Sequence, residues 1–196
     1  DPDHLTYMPQ GWTLSEELKH DPSGGGMRAL VFLEEAGGSH GRGVIAFRGT
    51  DLNMGGVSGQ ADECADKLLW DDDEEADLPS FCDAWSPFQL DYYARARDFT
   101  ARVLERYPDR DWLFTGHSMG AGLAVLVALG DCCNDRTFPS LAFSTPPADK
   151  ALSSRTCCAH PELKADPSLL LLLSDSDDPL FHESRGNLSG AATQCT

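Results

Sequence analysis

The residues most able to do chemistry in this sequence are Gly116-His117-Ser118-Met119-Gly120. A serine hydroxyl is a weak nucleophile alone; it needs a base to take its proton and donors for the oxyanion it creates. The GxSxG spacing offers a way to present such a serine. Trp112 to Thr115 ahead of it is a short apolar run of strand composition, and Ala121 to Leu129 after it is an alanine-rich, apolar helix former. Strand, sharp turn and helix make the context in which GxSxG is a nucleophile elbow. Ser118 then sits in a strained turn above the sheet edge. Side chains at 116 and 120 would strike the strand and helix, so glycine is required at both. The Met119 N–H, at the start of the helix, points where an oxyanion would form.

The elements that must position Ser118 can be read around it. Residues 1–27 are loop-rich, with Trp12-Thr13-Leu14 the one core-like spot. Arg28 to Leu33 and Gly43 to Phe47 read as strands joined in a hairpin, the second an apolar run expected to be buried on both faces. Residues 51–85 show no clear periodicity and are expected to be a lid and acidic loop: Leu52 to Val57 is glycine-rich, and Asp71 to Asp77 is a charge run read as solvated, without the spacing of a calcium loop. Ser86-Pro87-Phe88-Gln89 is a helix start with N-cap, proline and capping-box partner. Tyr92, Ala96, Phe99, Val103 and Tyr107 follow at helical spacing as a core stripe. A helix between two apolar strands is a βαβ signal for a parallel sheet. Ser140 to Ser144 reads as the next strand, and Leu169 to Leu173 as a central one.

Thr50, Ser118 and Asp178 each fall just past the C-terminal end of one of these strands, the edge at which open parallel sheets bind ligands. The order Ser then Asp fits an α/β-hydrolase. The expected fold is one α/β domain over 1–196, a mostly parallel central sheet with helices on both faces.

Composition bounds the partners. The 196 residues hold 32 acids against 15 bases, a net charge of −17. That disfavours nucleic acid and strongly anionic membranes, leaving neutral or zwitterionic surfaces open. No apolar run reaches transmembrane length. Seven cysteines are many for this length. The vicinal pairs Cys132-Cys133 and Cys157-Cys158 lack zinc spacing, so no metal is expected. Disulfides are expected instead: Cys64–Cys82, and one bridge between the two vicinal pairs, with Cys195 left over. With the sequon Asn187-Leu188-Ser189, they point to a secreted or endomembrane-lumenal protein.

Three stretches together resemble the class 3, fungal-type lipases of the α/β-hydrolase superfamily: Val44 to Thr50 (VIAFRGT), Phe114 to Ala124 (FTGHSMGAGLA) and Asp178-Pro179-Leu180. The resemblance covers roughly residues 28–182. It implies Ser118 as nucleophile, Asp178 as triad acid, and Thr50 with the Met119 amide as oxyanion hole. It also implies a neutral lipid or other carboxylic ester as substrate, cleaved by acyl transfer without a cofactor. The alternatives are a carboxylesterase for soluble esters and a lipase-like binding or scaffold domain that has lost its base. Methionine follows the nucleophile where leucine is usual, a tolerable change because only the amide acts. The base is the larger departure. The family's histidine comes well beyond the acid, whereas 18 residues follow Asp178 here and His182 is the one histidine among them. His182 would have to fold back sharply. His4, His20 and His40 lie in loops before the core motifs, His160 lies in the cysteine loop, and His117 within the elbow should point away. The candidates are therefore His182 or a histidine beyond Thr196, and in the second case the catalytic unit would be incomplete at its C-terminal end.

Overall fold

The computed structural model describes residues 8–15, 18, 26–36, 38–53, 56–70, 78–130, 138–146 and 170–174. Among these residues six strands form one sheet in sequential order: β1 (Trp12–Leu14), β2 (Ala29–Glu34), β3 (Arg42–Phe47), β4 (Asp111–His117), β5 (Ser140–Phe143) and β6 (Leu170–Leu173). The first three run antiparallel, with the expected β2–β3 hairpin in register Val31 to Ile45. From β3 onward every pairing is parallel, with Ile45 opposite Phe114 and Gly116 opposite Ala142.

Among the described residues four helices accompany the sheet: α1 (Val57–Trp70), α2 (Pro87–Leu90), α3 (Tyr92–Arg106) and α4 (Met119–Gly130). The strand side chains of period two explain where they dock. Val31, Ile45, Phe47, Trp112 and Phe114 share one sheet face and pack with Ala65 and Leu69 of α1, Tyr92, Phe99 and Val103 of α3, and Leu123, Leu126 and Val127 of α4. Ala142, Leu170 and Leu172 continue that face against Ala121 and Val125. The helix α4 is apolar all round and buried from Ala121 to Ala128, as such a helix must be. Among the described residues, the packed helices lie on one face of the mostly parallel sheet. Sequential strand order is the reason: right-handed crossovers that always advance in one direction pass over the same face. No helix among the described residues is long and apolar enough to cross a membrane.

Several expectations need correction. Residues 57–70, read as part of an aperiodic lid and acidic loop, form the 14-residue helix α1. Its buried positions are Gly59, Ala61, Asp62, Cys64, Ala65 and Leu69, so small and polar residues line its inner face and no apolar rhythm shows. A 3-10 turn, Ser80–Ala84, follows. The acidic run 71–77 lies outside the described residues. The strand β3 is buried on one face only, with Val44 and Ala46 half-buried. Rather than central, β6 is the last strand of the described sheet, and Leu171 is exposed. Trp12 to Leu14 is a strand, not merely a core-like spot in a loop. The helix beginning at Ser86 is two helices. Ser86 and Gln89 make the capping box, and Asp91 then ends α2 and caps α3 by accepting from the Ala94 N–H at 3.0 Å.

The core stripe of α3 is as read, with Tyr92, Ala96, Phe99 and Val103 buried. So is the Cys64–Cys82 disulfide, Cα–Cα 5.7 Å, which ties α1 to the 3-10 turn. The second proposed bridge, Cys195 and the Asn187 sequon fall outside the described residues.

Candidate active site

The turn between β4 and α4 is built around one unusual residue. Ser118 has φ 55°, in the left-handed region that L residues with a side chain rarely enter. Hydrogen bonds hold it there from both sides. Its N–H donates to the Phe143 carbonyl at 3.0 Å, tying the turn to β5, and its carbonyl accepts from the N–H groups of Ala121 at 2.8 Å and Gly122 at 3.2 Å. The glycines around it are required by contact. A Cβ on Gly116 would lie 2.3 Å from the carbonyl carbon and oxygen of Gly120, and one on Gly120 would lie 2.3 Å from the Phe47 oxygen. Neither clash can be relieved by turning a side chain, because the atoms met are backbone.

The segment after β3 lies directly against this turn. A Cβ on Gly49 would be 2.6 Å from the His117 carbonyl oxygen and 3.5 Å from Ser118 Cβ. Thr50 is therefore next to a residue in contact with the elbow. The helix α1 grips the other side of the segment through two carboxylates one turn apart. Asp66 accepts from the Thr50 hydroxyl at 2.6 Å and from the Trp70 indole N–H at 3.0 Å. Asp62, wholly buried, accepts from Arg48 Nη2, from the Asp51 N–H at 2.8 Å and from the Tyr92 hydroxyl at 2.7 Å. Trp70 in turn lies where a Cβ on Gly122 would be, 2.5 Å from its ring, so the helices α1 and α4 meet there at close range.

Burial dominates the electrostatics of the two carboxylates. It pushes the carboxyls of Asp62 and Asp66 above the usual range, and the hydrogen bonds they accept oppose the shift. Arg48 adds its charge in favour of ionised Asp62, whereas Asp62 itself works against ionisation of Asp66. Burial and the adjacent Asp62 charge raise the Tyr92 hydroxyl far above its ordinary range. Tyr92 therefore stays protonated and serves as a donor.

Of the residues named from sequence, Ser118, Met119 and Thr50 stand together at the C-terminal edge of the parallel strands. Asp178 and His182 lie outside the described residues. His117 is exposed at the end of β4. Asp62 and Asp66 were not singled out from the sequence. Their i, i+4 spacing within ADECADKLLW, which puts both on one helix face, was the signal that could have found them.

This arrangement coincides with a family match. Residues 44–135, from β3 through the elbow helix, match the family model Lipase (class 3). Over those residues the chain is similar to the class 3 lipase family. The chain is 27% identical to "Putative lipase ATG15" of Eremothecium gossypii, with 87% of this chain and 34% of that protein aligned. Among solved structures, the lipase of Rhizopus microsporus var. chinensis aligns at TM-score 0.49 and 16% identity, over 91% of this chain and 57% of that one. The Lip2 lipase of Yarrowia lipolytica aligns at TM-score 0.46 and 19% identity, over 90% and 62%. The chain thus spans about a third of the length of the curated relative it matches.

Proposed function

We propose that the protein is a serine hydrolase of carboxylic esters, a lipase acting on acylglycerols or related lipids through an acyl-enzyme. The observation that carries this reading is Ser118 held at φ 55° on a strand–turn–helix whose Gly120 lies against Phe47 and Arg48, where the segment bearing Thr50 begins. Ser118 Oγ attacks the ester carbonyl carbon while a histidine takes its proton. The carbonyl oxygen gains the negative charge, and the C–O bond to the alcohol breaks as that proton is returned to the leaving oxygen. Asp178 is the acid that orients this histidine, and His182 is the candidate for it that the sequence supplies after Asp178.

The oxyanion is assigned to the N–H groups of Met119 and Thr50. Met119 opens α4, where first-turn N–H groups have no partner within the helix. The Thr50 hydroxyl has a single proton, and it is directed to Asp66. Its part is to fix the residue while the main-chain N–H receives the charge. A lipid substrate, rather than a soluble ester, is favoured by two exposed apolar side chains in the stretch that follows Thr50 in sequence: Leu52 is 84% and Val57 59% accessible. An oxidising compartment, secreted or endomembrane lumen, is supported by the Cys64–Cys82 disulfide.

Labelling with a fluorophosphonate tests the reading, with hydrolysis of p-nitrophenyl esters of increasing acyl length measured in parallel. The expected result is one labelled residue, Ser118, with labelling abolished in Ser118→Ala and strongly slowed in His182→Ala. Hydrolysis should rise with acyl length once the ester forms an interface. An unlabelled protein, or equal labelling of Ser118→Ala, would overturn the hydrolase reading. A preference for short soluble esters would move it to the esterases.

A further inference from the structure

We propose that Asp62 is a positioning residue for the oxyanion-binding segment 48–51, holding the Thr50 N–H against the elbow. This rests on the role given to Thr50 above.

Asp62 has no exposed surface, and a carboxylate so placed is tolerated only when charge and hydrogen bonds replace the water it has lost. Asp62 has both, and the partners are not spread at random. Two of the three donors belong to the segment itself: the Arg48 guanidinium two residues before Thr50 and the Asp51 N–H immediately after it. The third, the Tyr92 hydroxyl, comes from α3 and fixes the carboxylate from behind. Arg48 is held further by Ser58 Oγ at 3.0 Å and by Asp51 at 3.7 Å, the former also on α1.

The opposite side of the segment rests on backbone contact, Gly49 against His117 and Gly120 against Phe47 and Arg48. Contact of that kind prevents approach but not departure. The Arg48 N–H donates to the Arg28 carbonyl at 2.9 Å and anchors the start of the segment to β2's side of the sheet. Past Thr50, something must keep the segment from drifting away from Ser118, and Asp62 is the side chain that bonds its backbone there, at the Asp51 N–H. Asp66 holds only the Thr50 side chain, about which the backbone can still turn.

The chemistry also explains why a carboxylate is used. Three donors converge on the side chain, and a carboxylate offers acceptors alone. An asparagine could satisfy Arg48 and Asp51 through its oxygen while Tyr92 turned to accept from its amide. It would lack the charge that makes such bonds roughly twice as strong as neutral ones. Asp62→Asn should therefore weaken the hold without removing it, and Asp62→Ala should remove it.

The test measures hydrogen exchange at the Asp51 amide in the full-length protein, beside the rate of fluorophosphonate labelling at Ser118 and the split of ester hydrolysis into kcat and KM. In Asp62→Asn the Asp51 amide should exchange about tenfold faster, while the amide of Phe114 in β4 exchanges as in the parent. Labelling should slow by about tenfold, and kcat should fall with KM within about twofold, a split that general loosening of the fold would not produce. Asp62→Ala should be more severe on each measure, and if it does not fold, Asp62→Asn decides. Parent-like exchange at Asp51 in Asp62→Asn would overturn the inference, as would parent-like labelling despite faster exchange. A parent protein that fails to label refutes the hydrolase reading of Ser118, and the exchange of Asp51 then still decides whether Asp62 holds the segment.

Discussion

The strain at Ser118 can be measured separately from its chemistry by comparing two substitutions. At φ 55° a residue with a Cβ is disfavoured by about 1–2 kcal/mol relative to right-handed backbone. Ser118→Ala removes the hydroxyl but keeps the Cβ and therefore the strain. Ser118→Gly removes both. Glycine gives back part of the relief, about 0.5–1 kcal/mol, through its greater freedom in the unfolded state. The net expectation is that Ser118→Gly is more stable than Ser118→Ala by about 0.5–1 kcal/mol. For a protein of this size each kcal/mol moves the midpoint by roughly 2–4 °C, so the two melting curves should differ by about 1–4 °C. Urea denaturation and thermal melting of parent and both variants, side by side, provide the assay. Both variants should fail to react with the fluorophosphonate. The reasoning is refuted if Ser118→Gly melts at or below Ser118→Ala, because the left-handed backbone would then carry no strain for glycine to release.

Gly120→Ala should destabilise by about 1–3 kcal/mol and slow labelling at Ser118, since its Cβ would lie 2.3 Å from the Phe47 oxygen and 2.7 Å from the Arg48 carbonyl carbon; a parent-like urea midpoint would refute the close approach. Arg42 bonds Glu34 through Nη2 at 2.6 Å and Nε at 3.1 Å and lowers its carboxyl from 4.5 to about 2. A depressed carboxylate stabilises the fold above its unfolded pKa and loses that contribution as pH falls through the folded value. Glu34→Gln should thus be less stable than the parent at pH 7, with the gap closing as pH drops from about 4.5 to about 2; urea titrations showing a pH-independent gap would contradict this. Replacing Cys64 and Cys82 by alanine opens a loop with a sequence separation of 18 and should lower stability by about 3 kcal/mol. A reductant should destabilise the parent similarly at this bridge, and Ellman titration before and after unfolding checks that the pair is closed.

How much was legible in the sequence depended on which force placed each residue. The elbow was legible because sterics leave few choices: at Gly116 and Gly120 a Cβ meets backbone, and no other residue fits. The α3 stripe was legible because burial of Tyr92, Phe99 and Val103 writes a helical period into apolar positions. The capping box was legible because Ser86 and Gln89 satisfy each other's backbone locally. By contrast α1 was missed, since Asp62 and Asp66 occupy inner positions where a pattern search expects apolar side chains, and both answer to partners 11 to 30 residues away in sequence. Thr50 was found, but not that its hydroxyl is committed to Asp66. The division of the α2–α3 region escaped notice as well, because the Asp91 cap that restarts the helix sits within an otherwise continuous helical pattern.

The same difference in force predicts how the site should respond to change. The elbow and the oxyanion segment meet through glycine contacts, while α1 holds the segment through the buried carboxyl groups of Asp62 and Asp66. A larger residue at 116 or 120 has to move backbone in β3, β4 or α4, which are core elements, so it damages fold and site together. A change at Asp62 leaves the sheet and its packed face of Val31, Ile45, Phe47 and Phe114 in place and acts on what lies beyond the end of β3. The carboxylate side is therefore the one where placement of the Thr50 N–H can be altered with the least loss of the fold. It is also the side open to solvent conditions. Asp62 and Asp66 are both raised toward protonation by burial, and protonation removes an acceptor from Arg48, Asp51 or Thr50. Ser118 has no comparable exposure to pH through its main-chain bonds to Phe143, Ala121 and Gly122. On this geometry the nucleophile is held by steric fit, and the oxyanion segment beside it by charge.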